Sequence, residues 1–168
     1  MTTEAVLQDK IILVVDDEPD VLETVGEMLD MCLVYKAKSY DEAVEYLRGY
    51  TIDIAILDIM GVNGFDLLKR CVDKGVPAVM LTAHALTPEA LKKSMKLGAV
   101  TFLPKEKISE IDDFLADVAL GGGAPIWGKF FDRLGSYFEK RFGPDWKEKD
   151  QFFKEFEEAA KGGTESEG

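Results

Sequence analysis

The sequence predicts a doubly wound α/β fold, in which a parallel five-stranded sheet carries helices on both faces. Two observations predict it. Short apolar runs rich in β-branched residues alternate with helically periodic segments, five times in succession. The first run, Ile11-Ile12-Leu13-Val14-Val15, is apolar throughout rather than alternating, which suits a strand covered on both faces. Repeated β–α units wind into a parallel sheet because each crossover returns the chain in the same direction.

The elements follow in order. After the first strand, Asp16-Asp17-Glu18-Pro19 opens a helix: proline suits the first helical position, and acids suit the positive end of the helix dipole. Val21, Leu22, Val25, Met28 and Leu29 then recur at helical spacing. Leu33–Ala37 is the second strand, and Ser39 with Glu42 forms a capping box for a helix through Leu47. Ile52–Leu57 is the third strand, with Asp53 near its entry edge, and Gly64–Asp73 the third helix. Ala78–Leu81 is the fourth strand. Thr87-Pro88-Glu89 caps a helix to Leu97, closed by Gly98. Val100–Leu103 is the fifth strand and Glu106–Leu120 the fifth helix.

Gly121-Gly122-Gly123-Ala124-Pro125 breaks this pattern and reads as a linker. Ile126–Phe142 then carries Ile126, Trp127, Phe130, Phe131, Leu134, Tyr137, Phe138 and Phe142 on one face of an amphipathic helix. Gly143-Pro144 stops it, and Trp146–Ala160 is expected to form a second helix. Residues 161–168 read as a disordered tail. The expected organisation is a domain over 8–120, a linker over 121–125, a helical extension over 126–160 and the tail.

The chain carries a net charge of −12, which disfavours binding to phosphate backbones, and no basic cluster offsets it. The excess acid lies in residues 1–120, with 22 acids against 12 bases. Cys32 and Cys71, far apart in apolar surroundings, read as free thiols and suit a reducing compartment. Met1–Lys10 lacks the apolar stretch of a signal peptide, and no run reaches the ~20 residues of a membrane span. A cytoplasmic protein is expected, with neither nucleic acid nor membrane as partner.

Doubly wound sheets bind ligands at the carboxyl ends of their strands. Strand one ends there in Asp16-Asp17, strand three in Asp58, strand four in Thr82, and Lys105 follows strand five. Crowded carboxylates repel one another and call for a cation. All the ligands offered are hard oxygens without His or Cys, which favours Mg²⁺. A carboxylate beside such a metal is a competent nucleophile toward a phosphoryl group, and an ammonium and a hydroxyl can hold phosphate oxygens.

The pieces Val-Val-Asp-Asp-Glu at 14–18, Leu-Asp at 57–58, Leu-Thr-Ala at 81–83 and Phe-Leu-Pro-Lys at 102–105 together resemble the receiver domain of two-component response regulators over residues 8–120. The resemblance implies a flavodoxin-like sheet with strand order 2-1-3-4-5. It implies Asp58 as phosphoacceptor for a histidine kinase or phosphotransfer protein. It further implies Mg²⁺ held by Asp16, Asp17, Asp58 and the Met60 carbonyl, with Thr82 and Phe102 as a switch pair. Two departures stand out. The loop after Asp58 is two residues shorter than the family's, bringing Gly64 to six positions past it, and Pro104 precedes Lys105 where the family has proline after the lysine.

Plainer roles stand beside these. Asp16 and Asp17 would also serve as helix-start acids, Asp58 as a turn residue, Thr82 as a capping hydroxyl, Lys105 as a solvated lysine and Phe102 as core. His84, two residues past Thr82, is either a surface histidine or, by the resemblance, a residue that tunes dephosphorylation. The aromatic face of 126–160 packs on the domain's own helices, forms a homodimer or binds a partner. The expected function is a response regulator that switches a protein-interaction surface, with no DNA-binding output and no catalysis beyond phosphorylation and dephosphorylation of Asp58. Alternatives are a haloacid-dehalogenase-like phosphatase, which wants an Asp-x-Asp motif that Asp58-Ile59-Met60 lacks, and a flavin-binding module.

Overall fold

The structure is a computed structural model that describes residues 2–83, 87–150 and 152–155. His84, the expected helix beyond residue 155 and the expected tail lie outside the described residues. The elements are α1 (Thr3–Leu7), β1 (Ile11–Val15), α2 (Pro19–Met28), β2 (Leu33–Ala37), α3 (Tyr40–Gly49), β3 (Ile54–Asp58), α4 (Gly64–Lys74), β4 (Ala78–Thr82), α5 (Pro88–Leu97), β5 (Thr101–Pro104), a 3₁₀ segment (Lys105–Glu110), α6 (Ile111–Leu120), α7 (Trp127–Phe142) and α8 (Trp146–Lys149).

The five strands form one parallel sheet in the order β2-β1-β3-β4-β5, as expected. β3, β4 and β5 are buried along their whole length, whereas β2, at one edge, is half-exposed. β5 is the other edge, yet it is covered. Ile126 N–H donates to the Val100 carbonyl at 2.8 Å, and the buried Trp127 Nε1 to the Ala99 carbonyl at 3.1 Å, so the chain after α6 turns back onto this edge.

Four local differences from the sequence reading have physical causes. α1 carries too few residues for a periodic signal, and a helix that short is not stable alone. It persists because the Thr2 hydroxyl caps Ala5 N–H, Leu7 is fully buried, and Thr3 bonds Asp113 at 3.0 Å. β3 starts at Ile54 rather than Ile52, because the Asp53 carboxylate accepts Ile11 N–H at 2.8 Å and occupies the strand's entry. The expected helix from Glu106 begins as a 3₁₀ turn, with a kink at Lys107. The helix expected over Trp146–Ala160 stops at Lys149: Asp150 is extended, its carboxylate accepts Phe152 N–H at 2.8 Å, and a fresh helical turn follows over 152–155.

Gly121-Gly122-Gly123 is a hydrogen-bonded turn. Gly122 N–H donates to Ala119 and Gly123 N–H to Val118, and both glycines have positive φ. The aromatic face of α7 is buried within the chain: Trp127, Phe130, Leu134 and Phe138 pack into the main core, joined by Trp146 and Phe153. Cys71 is buried and Cys32 half-buried, both free, and burial pushes their thiols up to about 12 and about 11.

Candidate functional site at the carboxyl rim of the sheet

β1 delivers Asp16 to the rim, and Asp16 N–H bonding the Ala37 carbonyl at 3.0 Å extends the β1–β2 ladder to that point. The turn into α2 is set by Asp16 itself, whose Oδ1 accepts Glu18 N–H at 2.9 Å. Pro19 then starts the helix. Asp16 is thus buried at 0% exposure, while Asp17 and Glu18 stand exposed beside it. One carboxylate oxygen from each of the three falls within 4.8 Å of the others.

Asp58 is the last residue of β3 and 4% exposed. It pairs in register with Leu81, so the buried Thr82 follows at the same end of the neighbouring strand. Thr82 lies opposite Pro104, and Lys105 comes next. The Lys105 ammonium then reaches back over the rim, 2.8 Å from Asp16 Oδ2, 3.1 Å from Glu18 Oε1 and 3.5 Å from Asp58 Oδ1.

The electrostatics follow from this crowding. Burial, then the neighbouring Asp16 and Asp17 charges, push the Asp58 carboxyl up to about 7, against the opposing pull of Lys105. Burial likewise raises Asp16. Burial pulls the Lys105 ammonium down, but hydrogen bonding and attraction to Asp16, Asp58 and Glu18 outweigh it and the net shift is upward. One lysine therefore leaves the carboxylates under-neutralised, and the hard-oxygen donor set fits a divalent cation of the Mg²⁺ type. Asp16, Asp17 and Glu18 are the residues closest to a ligand set, with Asp58 beside them.

The short loop after Asp58 is tight. Gly61 (φ 84°) and Asn63 (φ 54°) are both left-handed. A Cβ at Gly61 would lie 2.5 Å from Asp17 Oδ2, and one at Gly64 would lie 2.0 Å from the Asp58 carbonyl. The loop thus closes over both acids through glycines. Met60 sits on it with a 55% exposed side chain. Phe102, the other expected switch residue, is fully buried, edge-on to Phe130 at 6.3 Å and Phe138 at 6.5 Å. The structure thus brings together Asp16, Asp58 and Lys105, with Asp17 alongside, and buries Phe102 against α7.

Sequence reasoning did not assign Glu18 to the site, although a third consecutive acid at the end of β1 was the available signal. It also gave Gly61 no role, since its nearness to Asp17 depends on how the loop folds back.

Fold and rim together define a doubly wound α/β domain with a carboxylate–lysine cluster at the carboxyl end of its sheet. The family model for the response regulator receiver domain matches residues 12–116, and the chain belongs to that family. It is 33% identical over 101 residues to the response regulator GtcR of Aneurinibacillus migulanus, covering 57% of this chain and 41% of that protein. It is 34% identical over 113 residues to the DNA-binding response regulator MtrA of Mycolicibacterium smegmatis, covering 60% and 48%. The chain therefore spans less than half the length of either relative. Among solved structures, the receiver domain of NtrX from Brucella abortus superposes with a TM-score of 0.58 at 27% identity, covering 66% of this chain and 98% of that one. A receiver domain (CheY-like) from Methanospirillum hungatei, at 22% identity and a TM-score of 0.58, shares the fold over 68% of this chain and 99% of its own. No helix among the described residues is long and apolar enough to cross a membrane.

Proposed function

We propose that this chain is a phosphorylation-controlled switch in which Asp58 accepts a phosphoryl group from the phosphohistidine of a sensor kinase or phosphotransfer protein. The observation that carries the reading is the Lys105 ammonium, 3.5 Å from Asp58 Oδ1 and tied to Asp16 at 2.8 Å. An ammonium so placed can follow the negative charge as it arrives on Asp58.

An ionised Asp58 oxygen attacks phosphorus, the phosphorus–nitrogen bond of the donor breaks, and its electron pair returns to the imidazole. Lys105 exchanges its carboxylate contacts for a phosphoryl oxygen, as a point charge suited to phosphate. Thr82, at the end of the adjacent strand, donates its hydroxyl to a second oxygen. Burial of Asp58 excludes bulk water and strengthens both contacts. Mg²⁺ held by Asp16, Asp17 and Asp58, with the Met60 carbonyl, would neutralise charge on the transferring group. Phosphorylation adds roughly −1.5 to −2 charge, and a shift of Thr82 with Phe102 carries it to a protein-binding surface.

In this reading the chain works in the cytoplasm, turns over no substrate beyond its own phosphoryl group, and has a protein rather than nucleic acid as its downstream partner. Intact-mass measurement after incubation with a small phosphodonor and Mg²⁺ tests it. One phosphoryl adduct, absent in Asp58→Asn, is expected; wild-type protein that gains no adduct would overturn the reading.

A further inference from the structure

Helix α7 is held at both ends of one short segment that also carries the rim lysine, and α8 packs on α7 through Trp146. Phe102 packs on Phe130 and Phe138 of α7. Three residues on, Lys105 spans Asp16, Glu18 and Asp58. Glu106 is ion-paired to Arg141 of α7 at 3.3 Å, and the Lys107 ammonium stands 5.5 Å over the Tyr137 ring. So residues 102–107 face the carboxylates with one side chain and hold α7 with three others. Past the strand end the segment runs into a 3₁₀ turn, kinked at Lys107.

Other ties fasten the same helices elsewhere. Arg133 pairs with Asp117 of α6 at 2.9 Å. Asp150 pairs with Lys92 of α5 at 2.5 Å, and Phe152 lies beneath Lys96 at 5.1 Å. Most of these ties are partly exposed ion pairs, individually worth little. The firm attachment is the aromatic packing around Phe102 together with the Trp127–Ala99 bond.

We propose that α7 and α8 are a built-in cover over the β5 edge, whose seating is coupled to the phosphorylation state of Asp58 through residues 102–107. The proposal rests on the reading of Asp58 as phosphoacceptor. When Lys105 leaves Asp16 and Glu18 for a phosphoryl oxygen, the backbone on either side of it shifts. Glu106 and Lys107, adjoining it, lose register with Arg141 and Tyr137, and the cover loosens at its carboxyl-terminal half. Coupling of this kind is reciprocal: a cover loosened by substitution favours the phosphorylated form by the same factor.

Hydrogen exchange on the full chain tests this, with and without a small phosphodonor and Mg²⁺, read beside intact mass. Exchange of the α7 amides from Leu134 to Phe142 should rise about fivefold or more on phosphorylation, with α3 amides unchanged as the internal control. The surface variant Arg141→Glu, which leaves the core intact, should raise α7 exchange in the unphosphorylated protein and increase the phosphorylated fraction at limiting donor. An adduct with unchanged or slower α7 exchange overturns the coupled cover while leaving Asp58 as acceptor. No adduct overturns both. Arg141→Glu with unaltered phosphorylation also counts against the coupling.

Discussion

The Lys105 ammonium lies 2.8 Å from Oδ2 of Asp16, a carboxylate that is wholly buried. A buried carboxylate paired with a lysine from a different strand end pins β5 to β1 across the sheet. Removing one partner of such a pair leaves an uncompensated charge, at a cost on the order of 3 kcal/mol. Lys105→Met should therefore lower stability by that order in chelator, measured by urea unfolding, with part of the loss restored by Mg²⁺. An unchanged midpoint would show the pair to be incidental.

Asp58 gives a pH dependence of definite sign. Its folded pKa is raised to about 7, above its ordinary value of 3.8, so between these values the folded state binds more protons than the unfolded one. Stability in metal-free buffer should then fall as pH rises from about 4 toward 7. Asp58→Asn removes a crowded charge and should flatten this slope, raising stability near pH 8 by on the order of 1–3 kcal/mol. Thermal melts across pH in EDTA would read it.

Cation binding should stabilise the chain. A ligand that binds only the folded state contributes about 2.7 kcal/mol at a hundredfold excess over its dissociation constant. Thermal unfolding should shift upward with Mg²⁺ and return to the starting value on chelation. The shift should shrink in Asp17→Asn, since the exposed Asp17 is the carboxylate least engaged by Lys105.

The glycines of the short loop are constrained by their neighbours. A Cβ at Gly64 meets the Asp58 carbonyl at 2.0 Å, a backbone atom that cannot yield without moving the strand end. Gly64→Ala should cost more than about 3 kcal/mol or prevent folding. At Gly61 the obstruction is the Asp17 carboxylate, and φ is 84°. Gly61→Ala should keep the fold yet weaken Mg²⁺ affinity several-fold, read by titration calorimetry. Equal affinity would separate Asp17 from the metal.

Phe138 is fully buried and touches Phe102, Phe130, Phe142 and Trp146. Phe138→Ala should destabilise the chain by about 3–5 kcal/mol in a single cooperative transition. A separate early transition would mean that α7 unfolds on its own.

The sheet was legible because a parallel strand covered on both faces reads as a continuous apolar run, as β1 does throughout and β4 does up to Leu81. Asp16, Asp17, Asp58, Thr82 and Lys105 were legible because strand ends in such a fold share one rim. α1 was not, since its stability comes from Leu7 and Asp113 rather than from its own turns. Nor was the interruption at Asp150, where a side-chain bond to Phe152 competes with helix continuation.

By itself the sequence determined the succession of strands and helices from β1 to α7, the amphipathic face of α7 and the placing of Asp16, Asp17, Asp58, Thr82 and Lys105 at one rim. Each depends on local periodicity or on chain position along a strand. Only the tertiary structure decided where the aromatic face goes, that Glu18 shares Lys105 with Asp16, and that Gly61 lies against Asp17. Those are meetings of residues distant in the chain, and they follow from how loops close and how β5's free edge is covered, which no local pattern encodes.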